Sequence, residues 1–158
     1  MTERDDDLFT PTLQDAPSRA YADRPWRLSS QFWVAFFGGP LASAVIGYLN
    51  GSRLGIPERN KQLIVVAGVV GLALAIAFGF ALEALEVGSA ARLANQAAGV
   101  VAYGAIFKLQ RSGERVYEFY AEGDAEYDSL WGPGLAAVIG LGLPSALLVG
   151  GLTTGLAG

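Results

Sequence analysis

The sequence predicts an all-α membrane protein with four transmembrane helices. Three observations carry that prediction. The run between Arg27 and Arg53 is about 25 residues without a formal charge, and a helix rising 1.5 Å per residue needs about 20 apolar residues to cross the hydrocarbon core. Three later segments repeat the pattern in weaker or stronger form. The composition agrees: 52% of residues are hydrophobic, mean hydropathy is +0.36, and the charged share of 16% falls below the roughly 25% of soluble domains. The apolar residues also stand in long runs and lack amphipathic periodicity, so bilayer is favoured over water as the solvent.

Residues 1–27 read as a polar tail. Glu3, Asp5, Asp6, Asp7, Asp15 and Asp23 with Pro11, Pro17 and Pro25 give it too little apolar surface to fold, so disorder is expected. No apolar run precedes the first span, and no cleavable signal peptide is expected.

The first span is placed at about 29–50. Trp26, Phe32 and Trp33 near its start and Tyr48 near its end fit aromatic belts at the two interfaces. Gly38, Gly39 and Pro40 lie mid-span. Proline removes a backbone donor and clashes with the preceding turn, so a kink is expected there. The glycines, with Ala42 and Ala44, would let a neighbouring backbone approach closely. In the linker, Gly51 and Gly55 suit helix termination and Pro57 suits the next helix start.

The second span, about 62–83, is the most apolar, and an acidic turn with Glu83 and Glu86 ends near Gly88. An exposed pairing of Glu83 or Glu86 with Arg92 would contribute only about 0–1 kcal/mol. The third span, about 89–109, is the weakest, because only residues 93–107 are uncharged and these include Asn95 and Gln96. Arg92 and Lys108 would snorkel to opposite interfaces. Asn95 and Gln96 are the candidate polar lining, since intramembrane amides face the bundle interior. Lying only a turn from the helix start, they fit interhelical hydrogen bonding or interfacial solvation better than a ligand site.

The polar stretch 110–128 follows. Val116, Phe119 and Tyr120 share helical spacing, which suits a short amphipathic helix lying on the membrane between spans three and four. Asp124, Glu126 and Asp128 alternate loosely like a calcium loop, but the later bidentate Glu is absent. The fourth span, about 130–156, begins at Trp131. Its Gly142 and Pro144 echo the glycine-then-proline feature of span one, and a second kink is expected there.

Charge and residue types narrow the chemistry. There is no Cys and no His, which removes disulfides, thiolate or imidazole metal sites and histidine-based catalysis. The net charge of −4 offers no basic surface for nucleic acid. No cofactor, metal or catalytic residue is assigned. The near-membrane basic residues number roughly four on the side of the termini and six on the other, a slight bias towards cytoplasmic linkers that leaves orientation open.

The run Phe36-Phe37-Gly38-Gly39-Pro40-Leu41-Ala42, then Asn50, then Arg53-Leu54-Gly55 resembles a pattern in a family of uncharacterised bacterial inner-membrane proteins. There a GGPLA first span leads to Asn and Leu-Gly before a basic linker. The resemblance implies a multi-pass protein of the plasma (inner) membrane and brings no activity with it. Two functions follow as expectations. One is a non-enzymatic structural or accessory subunit, packing through its small-residue faces in a membrane complex or with itself. The alternative is a small transporter or channel component, using Asn95 and Gln96 beside the two prolines. A membrane enzyme built on Glu118, Glu122, Asp124 and Glu126 is the least supported reading.

Overall fold

The computed structural model describes residues 23–121 and 125–157, and the side chains of 156 and 157 are outside it. Expectations for the tail over 1–22, and for Glu122 and Asp124, therefore fall outside the described residues. Among those described there are helices and no strands.

A 3₁₀ turn, Leu28–Ser30, leads into α1 (Gln31–Arg53), followed by α2 (Glu58–Glu83) and α3 (Ala90–Tyr120). The final arm is α4 (Trp131–Ala137), a single wider π turn (Val138–Gly142), and α5 (Leu143–Ala157). Among the described residues, three helical stretches are long and apolar enough to cross a membrane: Leu28–Arg53, Glu58–Glu83 and Trp131–Gly155. The third helix does not join them, because its uncharged run is confined to 93–107, between Arg92 and Lys108, and includes the polar Asn95 and Gln96.

α1 sits at the centre and packs against α2, α3 and the final arm. Its interior face is built of small residues, with Ala35, Ala42 and Ser43 almost fully buried. The opposite side of α2 is a broad apolar surface, where Leu63, Val65, Val66, Val69, Val70 and Phe78 are exposed. An apolar surface of that width suits hydrocarbon and would be costly in water.

Helix ends follow local chemistry. At the close of α1 the Ile56 N–H bonds the Gly51 carbonyl (3.1 Å) and the Gly55 N–H bonds that of Ser52 (3.3 Å), with Gly55 at φ 63°. This is the paired 6→1 and 5→2 closure that a glycine in the left-handed region completes. Gly51 lies inside the helix, under the Ile56 side chain. Pro57 caps α2, whose first turn hangs on its carbonyl through Asn60 N–H at 2.8 Å.

Three expectations are corrected here. The 110–120 stretch is not a separate surface helix: α3 runs through it unbroken for 31 residues. Its length, about 46 Å at 1.5 Å per residue, exceeds the roughly 30 Å hydrocarbon core. The reason is a continuous inward stripe, Ile106, Gln110, Gly113 and Tyr117, which packs on α1 and the first linker. Val116, Phe119 and Tyr120, the expected membrane-facing set, instead point outward on α3.

The turn after α2 is made at Glu86, within the acidic turn expected there. Glu86 takes φ 56°, with Val87 N–H bonded to the Leu82 carbonyl (3.1 Å) and its own N–H to that of Glu83 (2.9 Å). Among the described residues no ion pair joins Glu83 or Glu86 to Arg92; the ion pairs are Arg24–Glu126, Arg53–Asp128 and Lys61–Glu58. Trp26 is not a belt residue either. It is buried, with the Arg53 guanidinium 4.1 Å above its ring.

Candidate functional site

α2, α3 and the π turn of the final arm all meet α1 at Gly38-Gly39-Pro40. Gly39 leaves helical geometry inside α1, at φ 72° and ψ −165°, a region open in practice only to glycine. The departure lies at the residue before Pro40, where the ring disfavours α geometry. A Cβ on Gly39 would stand 2.5 Å from the Asn95 amide of α3. One on Gly99 of α3 would collide with the Ala35 carbonyl and lie 2.8 Å from the Gly39 Cα. One on Gly142 would lie 2.6 Å from the Gly38 Cα, and one on Gly71 of α2 would lie 2.6 Å from the Pro40 ring. Backbone thus meets backbone where α1 crosses α3 and the final arm.

The polar groups at this crossing face one another. Asn95 is 3% exposed and Ser145, beside Pro144, is equally buried. The Ser145 hydroxyl donates to the Gly142 carbonyl (2.9 Å) and stands 3.4 Å from Asn95 Oδ1. Ser43 is buried with its Oγ unpartnered. A helical serine ordinarily bonds back to the carbonyl four residues earlier. Here that residue is Gly39, where the helix is broken.

Gly38, Gly39 and Pro40 therefore lie in the crossing with Gly142 and Asn95. Pro144 is exposed on the outside of the final arm, and Gln96 is half-buried, one position off the inward stripe of α3.

A second polar centre lies nearer the loop end of the bundle. The Asn50 side-chain N–H donates to Gln110 Oε1 (2.9 Å), Gln31 Nε2 stands 3.4 Å from the same oxygen, and Gln110 Nε2 donates to the Gly47 carbonyl at 2.9 Å. Asn50 Oδ1 in turn accepts the Trp26 backbone N–H at 2.7 Å. All three amides are at least 98% buried. Buried amides left unpaired would be costly, and here each is engaged.

Sequence reasoning missed Gln31 and Gln110. Gln31 sat in the uncharged run of span one, and that was a usable signal. Gln110 had none, because it adjoins Arg111 and read as loop.

Outside this cluster the loop segments are strapped together. Arg53 donates to the Arg24 carbonyl (2.7 Å) and to Asp128 (2.9 Å), while Arg24 pairs with Glu126. Glu114 accepts the Leu28 N–H at 3.0 Å, and partial burial pushes its carboxyl above the ordinary range despite that bond. Tyr127 donates to Glu118 (3.0 Å); burial, and then this bond, raise its phenol well above the usual value.

An apolar groove of about 820 Å³ runs between α1 and α4, walled by Trp33, Val34, Phe37, Leu135 and Val138. Its mouth carries Arg27, Ser30, Tyr127, Asp128 and Ser129. Among the described residues no group of three or more carboxylates gathers in a way that could hold a metal ion.

These two polar centres and the groove stand without precedent to interpret them: no family model, no curated protein and no solved structure matches the chain.

Proposed function

We propose that the chain is a four-span helical bundle of the bacterial plasma membrane, acting as a non-enzymatic structural or accessory subunit. The observation that carries this reading is the crossing at Gly38-Gly39-Pro40. There the bundle axis is filled by backbone, with Gly99 against Ala35 and Gly142 against Gly38. Helices in lipid associate by such close van der Waals packing and by interhelical hydrogen bonds. The amides Asn50, Gln110 and Gln31 spend their bonding capacity on one another and on backbone, as a rigid scaffold requires.

α3 is counted as the fourth span because it packs along both α1 and α2 over its apolar half. Asn95 and Gln110 turn inward and its polar C-terminal turns extend past the bilayer. The GGPLA motif supports assignment to the inner-membrane group it resembles. The exposed α2 face is the surface left for lipid, a partner subunit or a second copy.

Purification from native membranes in a mild detergent, with mass spectrometry of what co-elutes, tests the assignment. A stoichiometric partner or a stable homo-oligomer supports it; a lone monomer that binds nothing sinks it.

A small transporter or channel component is the second reading. It draws on one observation, the unpartnered Ser43 hydroxyl buried beside the break at Gly39. Unwound backbone with free polar groups at mid-span is how transporters present ion ligands. Solute flux in proteoliposomes, abolished in Ser43→Ala and Asn95→Ala, would favour it over the scaffold.

A further inference from the structure

The groove between α1 and α4 differs from the rest of the apolar surface in having a polar, singly cationic mouth. Its walls are large and half-exposed: Trp33, Phe37 and Leu135 are 51–60% exposed, and at its floor the buried Gly134 packs closely against Val34. At about 820 Å³ it falls within the roughly 300–1,000 Å³ of small-molecule sites.

The charges at the mouth are unequally satisfied. Asp128 is neutralised by Arg53 and Glu126 by Arg24. Arg27 has no carboxylate ion pair among the described residues, and its guanidinium lies over the Tyr127 ring at 5.0 Å from the centroid. Glu114 and Glu118 stand on the α3 side of Tyr127, bonded to the Leu28 N–H and the Tyr127 hydroxyl respectively. A cationic fork with hydroxyl neighbours Ser30 and Ser129, above a channel of hydrocarbon dimensions, matches a phosphate carrying an acyl chain.

We infer that this groove holds one acyl chain of an anionic glycerophospholipid, with the lipid phosphate at Arg27 and Ser30. The inference rests on the membrane embedding proposed above and not on the accessory role.

Full-length protein extracted in mild detergent is mixed with equal phosphatidylglycerol and phosphatidylethanolamine, and native mass spectrometry counts the retained lipids. The expected result is one bound phosphatidylglycerol, preferred about fivefold, the effect of one basic residue near an anionic headgroup. Arg27→Gln brings the preference to parity, Arg27→Lys keeps it, and Arg59→Gln at the start of α2 leaves it unchanged. Leu135→Trp fills the groove and loses both lipids. Should that variant not fold, the two Arg27 variants decide alone, because Arg27 is exposed.

Equal retention of both lipids by the wild type, or an unchanged preference in Arg27→Gln, overturns the proposal. So does displacement of the lipid by excess inorganic phosphate, which would mark a free-anion site. A dimer that Leu135→Trp splits would mean that a second copy covers the groove. Protein that stays in solution without detergent would instead refute the membrane embedding itself.

Discussion

Asn50 of α1 and Gln110 of α3 are joined by a 2.9 Å hydrogen bond inside the bundle, and neither side chain reaches solvent. The bond ties the last turns of α1 to the point where α3 becomes polar, and through Trp26 it holds the segment that enters the first helix. Asn50→Ala strands the Trp26 N–H and part of Gln110, for an expected loss of about 1–3 kcal/mol. A double-mutant cycle with Gln110→Ala should return a coupling of about 0.6–1.7 kcal/mol, the range for hydrogen bonds between membrane helices. Thermal unfolding in detergent, followed by circular dichroism, measures both.

The crossing of α1 and α3 should tolerate no side chain at Gly99. Its Cβ would meet the Ala35 carbonyl and the Gly39 backbone, which cannot rotate away. Gly99→Ala is expected to cost about 1–3 kcal/mol or to separate the helices. Gly104→Ala on the same helix has open space around its Cβ and should show no loss. Melting temperatures that fail to separate the two variants would remove the close-packing argument.

Gly39→Ala carries two penalties, and they can be separated. One is the clash with Asn95, and the other is the backbone conformation at φ 72°. In an Asn95→Ala background the clash is relieved, but about 1–3 kcal/mol of strain should remain. Full rescue by Asn95→Ala would mean that the backbone break is not intrinsic to the fold.

Glu86→Gly should stabilise the α2–α3 turn by about 1 kcal/mol, since an L-residue in the left-handed region is disfavoured and Glu86 is exposed there. A lowered melting temperature would contradict the left-handed turn.

Glu114 gives the protein a defined pH response. Its carboxyl is raised in the fold, chiefly by burial, so the folded state holds its proton to higher pH than the unfolded chain. Stability then falls as pH rises from the ordinary carboxyl value through the raised one, because in that window the folded state binds more protons. Glu114→Gln, which can still accept from the Leu28 N–H, should flatten this part of the curve. Detergent-phase melting across the acidic range tests the sign.

The sequence alone determined the apolar helices, because an uncharged run long enough to cross hydrocarbon depends only on composition and length. It also marked Gly38, Gly39 and Pro40 as unusual, and Gly55 as a helix terminator, since left-handed and proline-adjacent conformations are local backbone properties. Tertiary structure decided which faces meet. Gln110 reads as loop beside Arg111, yet it is buried because Gly113 and Tyr117 extend the same stripe onto Ile56 and Leu54. Val116 and Phe119 had the same helical spacing and point outward. Periodicity fixes that residues share a face, but it does not say which face finds a partner. That choice belongs to the linker between α1 and α2, brought alongside α3 by contacts distant in sequence.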